Sequence, residues 1–210
     1  MVLKVFDNRS FHMLYSIEGL QKKARMFKTA GKRTNALNES IESFKNFSMT
    51  AIFDIFLSYR SLDAELAVAL ANSFQTEFGY KVYLDRWIDP DMNPSSANRE
   101  TAKCIRARLQ HSKCLIYADT AHSCSSRWMP WEAGFMDGQN RPVAILPIEQ
   151  TENEAKQEAH KGLEYLSLYP YISKNPIMGK TEMTLWINET IQKYCRFDDW
   201  LKNGKQPYIH

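Results

Sequence analysis

The sequence predicts an α/β fold, a five-stranded parallel sheet with helices on both faces. Three observations predict it. Short apolar runs of strand length recur from residue 51 onward, segments with the apolar spacing of helices separate them, and two of the runs are apolar almost throughout, as strands covered on both faces are. The composition agrees: 210 residues, 44% apolar and 24% charged, make an ordinary globular chain with one domain plus an appendage. A chain of this length builds a core without disulfides or metal.

Taken in order, residues 1–48 hold helix-compatible pieces at 18–29 and 35–47, broken at Gly31, and form a basic helical N-terminal extension. Residues 1–50 carry nine Lys/Arg against four Asp/Glu, or +5, and the rest carries 18 against 20, or −2, which gives the net +3. The basic stretch from Lys22 to Arg33 reads as a solvated helix face, the alternative being a contact with phosphates or a partner. The body has no concentrated basic face with interleaved aromatics, so no nucleic-acid partner is expected.

Residues 51–57 form the first strand. Leu66, Leu70, Phe74 and Phe78 then recur every fourth position, a helical stripe that Ser61 or Asp63 caps and Gly79 ends. A short strand at 81–84 leads into a turn-rich loop with Pro90, Asn93, Pro94 and Ser95, and then a helix at 98–110 buries Ala102, Ile105 and Leu109. The third strand is 113–118. A polar loop, a short helix at 129–137 ended by Gly138, a fourth strand at 143–148, a helical 151–161, a fifth strand near 166–171 and a last helix at 182–195 complete a domain spanning 49–200, with 201–210 as a tail.

With the flavodoxin-like strand order 2-1-3-4-5, ligands bind beyond the carboxyl ends of strands one and three, where the winding reverses. Three loops reach that crevice. Strand one ends in Ser58-Tyr59-Arg60-Ser61, strand three ends in Asp119-Thr120 and leads through Ser126 to Trp128 and Glu132, and strand two delivers Asp85-Arg86-Trp87 from the side.

Cys104, Cys114, Cys124 and Cys195 show no CxxC and no zinc spacing, which reads as reduced thiols and no metal site. The charged N-terminus lacks a signal peptide's apolar core, and no apolar run approaches the ~18 residues of a membrane span, so a cytoplasmic location is expected.

Six segments, FDIFLSYRSLD at 53–63, KVYLDRW at 81–87, IRARLQHSKCLIYADT at 105–120, SRWMPWE at 126–132, VAILPI at 143–148 and YLSLYPY at 165–171, resemble in this order the Toll/interleukin-1 receptor (TIR) domain. The resemblance spans about 150 of the 210 residues and leaves out 1–48. It implies the NAD+-cleaving bacterial type, as in Thoeris anti-phage systems, which releases nicotinamide and ADP-ribose or a cyclic or related ADP-ribose signal. The family's S-x-W-x-x-x-E pattern falls on Ser126, Trp128 and Glu132 and makes Glu132 the catalytic carboxylate. NAD+ is then substrate, and no cofactor is expected. Self-association through TIR–TIR contacts and a downstream effector that senses the product are also implied. The alternative within the family is a non-catalytic module that signals only by assembly.

Breaking the bond between nicotinamide and ribose builds positive charge on the sugar while the leaving group departs neutral. A fixed carboxylate near the ribose therefore serves without a general acid. Glu132 suits this whether Pro130 opens the helix and puts Glu132 in its first turn, or Ser126 caps it and puts Trp128 and Glu132 four apart on one face. Arg60 can hold pyrophosphate, Tyr59 can line the nicotinamide side, Trp87 can stack on a ring or bury in a neighbouring subunit, and Ser126 binds ligand or caps the helix. The loop DRWIDPDMNPSSANRET lacks the glycine often found there in the family. A phospho-receiver fits poorly, because strand one ends without the acidic pair that holds Mg²⁺. A nucleoside deoxyribosyltransferase shares the sheet and a catalytic Glu.

Overall fold

The structure, a computed structural model, describes residues 13–29, 52–84, 99–156, 164–177 and 180–209. The expected helix at 35–47 and the loop bearing Asp85 and Trp87 lie outside them.

Four strands carry the centre: β2 (Phe53–Ser58), β3 (Val82–Tyr83), β4 (Ser112–Asp119) and β5 (Val143–Glu149), flanked by β1 (Tyr15–Ser16) before them and β6 (Tyr171–Pro176) after. The helices are α1 (Ile17–Thr29), α2 (Ala64–Phe78), α3 (Arg99–Gln110) and α4 (Trp128–Asp137). The sheet runs β3-β2-β4-β5-β6, all parallel, which is the expected 2-1-3-4-5 order of a flavodoxin-like fold. Its register sets Ile55 against both Val82 and Cys114, and Ile116 against Ala144, so the apolar strands line one continuous core. Right-handed crossovers put α2 on one face and α3 with α4 on the other.

Local chemistry explains the helices. Leu70 and Phe74 of the α2 stripe are fully buried, and Gly79 ends the helix at φ +76° with its N–H bonded to the Gln75 carbonyl. In α3, Ile105 and Leu109 are buried as expected; Ala102 is only half-buried, and Thr101 and Arg108 share the inner face instead. Arg141 closes the end of α3 by donating Nη1–H bonds to the carbonyls of Leu109, Gln110 and Ser112 at 2.8–3.0 Å, satisfying groups that the helix leaves open.

Three expectations fail. The helix expected at 182–195 is a hairpin, β7 (Met183–Thr190) and β8 (Lys193–Arg196), antiparallel to β6. Alternation was available in that stretch: Leu185 and Ile187 point inward around half-buried Trp186, and the open edge of β6 supplies the hydrogen bonds that decide for strand. The fifth strand starts later, at Tyr171, because 3-10 turns at Glu164–Leu168 bury Leu166 first. In 151–161 the described residues contain only the 3-10 turn Glu154–Lys156, while 157–163 lie outside the described residues. The expected tail is ordered too: α5 (Phe197–Asn203) and β9 (Tyr208–Ile209), the latter paired to β8. Tyr80 donates to Asp198 Oδ1 at 2.9 Å and packs edge-on against Phe197, bringing α5 back to the chain that enters β3.

The described part of the expected extension is built into the core. β5 and β6 pair directly only at Ile145↔Tyr171; beyond that, β1 lies parallel to Ile148 and Glu149 while Met13 bridges Lys174. Leu14, Tyr15 and Leu20 are buried, each adding about 1.5–3 kcal/mol of apolar burial. Lys23 of α1 joins α2 through a 3.0 Å bond to Ser73 Oγ and an ion pair with Glu77. No helix among the described residues is long and apolar enough to cross a membrane.

Candidate active site

β2 and β4 lie side by side, and the chain reverses its winding between them, so their carboxyl ends open the crevice expected of this topology. β2 ends in Ser58, whose hydroxyl donates to Glu132 Oε2 at 2.5 Å, a length typical of O–H bonds to carboxylate. Glu132 is 2% exposed and sits on the inner face of α4 beside Met129, Ala133 and Met136.

The start of α4 decides between the two readings of Pro130. Ser126 is extended, and its Oγ accepts the Met129 N–H at 3.2 Å, the bond of an N-cap, while Pro130 sits inside the first turn. Trp128 and Glu132 therefore stand four apart. Trp128 meets Trp131 edge-on at 5.4 Å, and Trp131 stacks on Phe135 at 5.9 Å, an aromatic ladder along the half-buried side of α4 that fixes how the helix lies.

Tyr59 follows Ser58 and is buried in the core cluster, 8% exposed. Arg60 opens the 3-10 turn Ser61–Asp63 and is half-buried; its Nε is shielded from solvent with no hydrogen-bond partner among the described residues. Ser58, Tyr59, Arg60, Ser126 and Glu132 are thus gathered at one end of the sheet. Trp87 lies outside the described residues.

Asp63 does not cap α2. Its buried carboxylate instead accepts Thr120 Oγ1–H at 2.7 Å and pairs with His122 Nδ1 at 2.8 Å, tying the loop after β2 to the loop after β4. Ser123 extends the tie, donating to Asp119 Oδ1 at 2.7 Å. Sequence reasoning missed this network, because nothing local marks partners 57 and 59 positions apart.

Beside α4 a cleft of about 730 Å³ opens between the loops leaving β4 and β5. Pro130, Thr120, Ser123 and Tyr165 line it with three carboxylates, Asp119, Glu149 and Glu164, and, among the described residues, no cation. Burial, with Glu154 and Asp119 nearby, holds the Glu149 carboxyl above the usual carboxylate range. Such a lining accepts hydroxyl hydrogens and repels phosphate.

The family model described as the TIR domain matches residues 55–175. The chain is also 40% identical over 164 residues, 78% of its length and 82% of the relative's, to a Bacillus cereus (strain MSX-D12) protein named "probable 3' cyclic ADP-D-ribose synthase ThsB'". A parallel 2-1-3-4-5 sheet, a buried Glu132 at its reversal point and these two matches together make the chain a member of the TIR domain family.

Proposed function

We propose that this TIR protein cleaves NAD+ between nicotinamide and ribose and releases a cyclic ADP-ribose, in cytoplasmic anti-phage defence. The observation that carries the reading is Glu132, buried at the β2/β4 crevice and held by Ser58, in a chain whose relative is named for cyclic ADP-ribose synthesis. When the C1′–N bond breaks, its electron pair stays on nicotinamide, which leaves neutral. Positive charge grows on C1′ and the ring oxygen, and the Glu132 carboxylate stabilises it more than it stabilises the ground state.

The acceptor that then bonds to C1′ loses a proton. It is water in hydrolysis and an atom of the same molecule in cyclisation. The name of the relative, a cyclic ADP-D-ribose synthase, supports the second.

Arg60, with a shielded Nε awaiting an acceptor, serves the pyrophosphate, and Tyr59 lines the nicotinamide side. The acidic cleft suits sugar hydroxyls rather than phosphate. Ser126 spends its oxygen on Met129 and has its hydroxyl proton for ligand, and Trp87 stacks on a ring. NAD+ is the substrate, with no resident cofactor. The protein self-associates through TIR–TIR contacts, and a separate effector senses the product. Neither nucleic acid nor a membrane takes part.

The test is incubation of the purified chain with NAD+, following nicotinamide and product mass by chromatography and mass spectrometry, beside Glu132→Gln. Wild-type turnover with a loss of at least about 10²-fold in the variant is expected. Equal turnover in the variant removes Glu132 from the mechanism. No turnover by a folded, self-associating wild type favours the assembly module instead.

A further inference from the structure

Four lysines converge on a second cavity, of about 310 Å³, which shares no lining residue with the acidic cleft. Lys22 and Lys23 come from α1, Lys156 from the turn Glu154–Lys156, and Lys174 from β6, against one carboxylate, Glu152. The apolar floor left exposed is Met13 and Met26, with Leu14 and Leu20 buried beneath. Lys23 is engaged with Ser73 and Glu77, and Lys156 donates to Asn153 Oδ1 at 3.3 Å.

Lys174 differs. It is half-buried with its ammonium 4.7 Å from the centre of the Tyr15 ring, and it makes no side-chain hydrogen bond or ion pair with any described residue. Burial, followed by the charge of Lys23, pulls its pKa below the usual lysine range. The nearby carboxylates of Glu77 and Glu152 offset only part of the cost of this half-buried ammonium, and Lys22 and Lys156 add to the same positive field. Inorganic phosphate would neutralise the lysines yet leave the apolar floor wet. An anion with an organic body covers both. The volume is at the small end of ligand sites, below what a dinucleotide fills.

We propose that this cavity binds a small organic phosphate, a monoester of mononucleotide size, whose phosphate is held by Lys174 with Lys22 and Lys156 at the rim and whose body lies on Met13 and Met26. The site is independent of whether Glu132 is catalytic.

The test is calorimetric titration of the full chain with AMP, with adenosine as the uncharged control and thermal denaturation as a second readout. AMP is expected to bind and to raise Tm, and adenosine to do neither. Lys174→Met weakens AMP by about tenfold or more. Because that residue is half-buried against Tyr15, a second variant, Lys22→Glu with Lys156→Glu at exposed positions, is expected to weaken AMP as well, with the fold checked by circular dichroism. Arg60→Met, at the other crevice, leaves AMP binding unchanged. The proposal is overturned by adenosine binding as tightly as AMP, by no AMP binding at millimolar concentration, by lysine variants that bind like the wild type, or by loss of AMP in Arg60→Met alone.

Discussion

Ser58 and Glu132, 74 positions apart, share one short bond, and that bond is where the chemistry proposed for this chain is most sensitive. Ser58→Ala removes a donor from a buried carboxylate, which costs about 1–3 kcal/mol of stability. We expect kcat to fall about tenfold, the ~1.4 kcal/mol equivalent of losing one positioning bond, with KM nearly unchanged. Steady-state kinetics beside urea denaturation separates the two effects, and a change confined to KM would refute the positioning role. Arg60→Met behaves oppositely, raising KM for NAD+ about tenfold or more through the lost charged contact, with a smaller change in kcat. Glu132 entered from the sequence through the TIR resemblance of Ser126, Trp128 and Glu132, and the structure buries it at the end of β2. The Asp63–Thr120–His122 tie was not legible in the sequence, since it joins two loops that meet only after the sheet has formed.

At the scale of elements, the seam between α1 and α2 responds to acid. Burial raises the Glu77 carboxyl, but the hydrogen bonds from Lys23 and Ser73 and the charge of Lys23 outweigh it, so the folded pKa lies below the ordinary value. The folded state therefore holds this proton less tightly than the unfolded chain does. Its stabilising contribution is complete above the unfolded pKa and is lost as pH falls through the folded one. Amide hydrogen-exchange protection in α1, corrected for the intrinsic rate, should fall below the ordinary carboxylate range, and Glu77→Gln should remove that dependence. At the other end of the sheet, Arg141→Ala leaves two carbonyls at the end of α3 and one at the start of β4 without their cation and should cost about 1.5–3 kcal/mol, read as a lower denaturation midpoint. Elements with a strong local period, such as α2, β4 and β5, were readable within a residue or two. The β7–β8 hairpin was not, because its strand-forming partner is the edge of β6 rather than anything within its own sequence.

For the whole molecule, the N-terminal segment decides where the domain begins. β1 fills the gap between β5 and β6, and Leu20 is 2% exposed beneath α1. Leu20→Ala should cost about 2–5 kcal/mol, as a buried Leu does elsewhere, and a chain lacking residues 1–29 should show a lower Tm and aggregate more readily, checked by scanning calorimetry and light scattering. A truncated chain as stable as the full one would refute the integration of α1 into the core.

What the sequence determined by itself was carried by short-range chemistry: the alternation of strands and helices through β5 and the cap at Gly79. The strand order came in as a flavodoxin-like expectation, and the start of the helix that bears Glu132 stayed open between Pro130 and Ser126. The tertiary structure alone decided which edges were available to be filled. β1, β7, β8 and β9 are strands because neighbouring backbone supplies their hydrogen bonds. The lysines of α1, read as a solvated face, became the wall of a cavity because Leu14, Tyr15 and Leu20 had apolar surface to bury against β5 and β6. Free energy of burial and strand pairing depends on partners distant in the chain, and no local pattern encodes them.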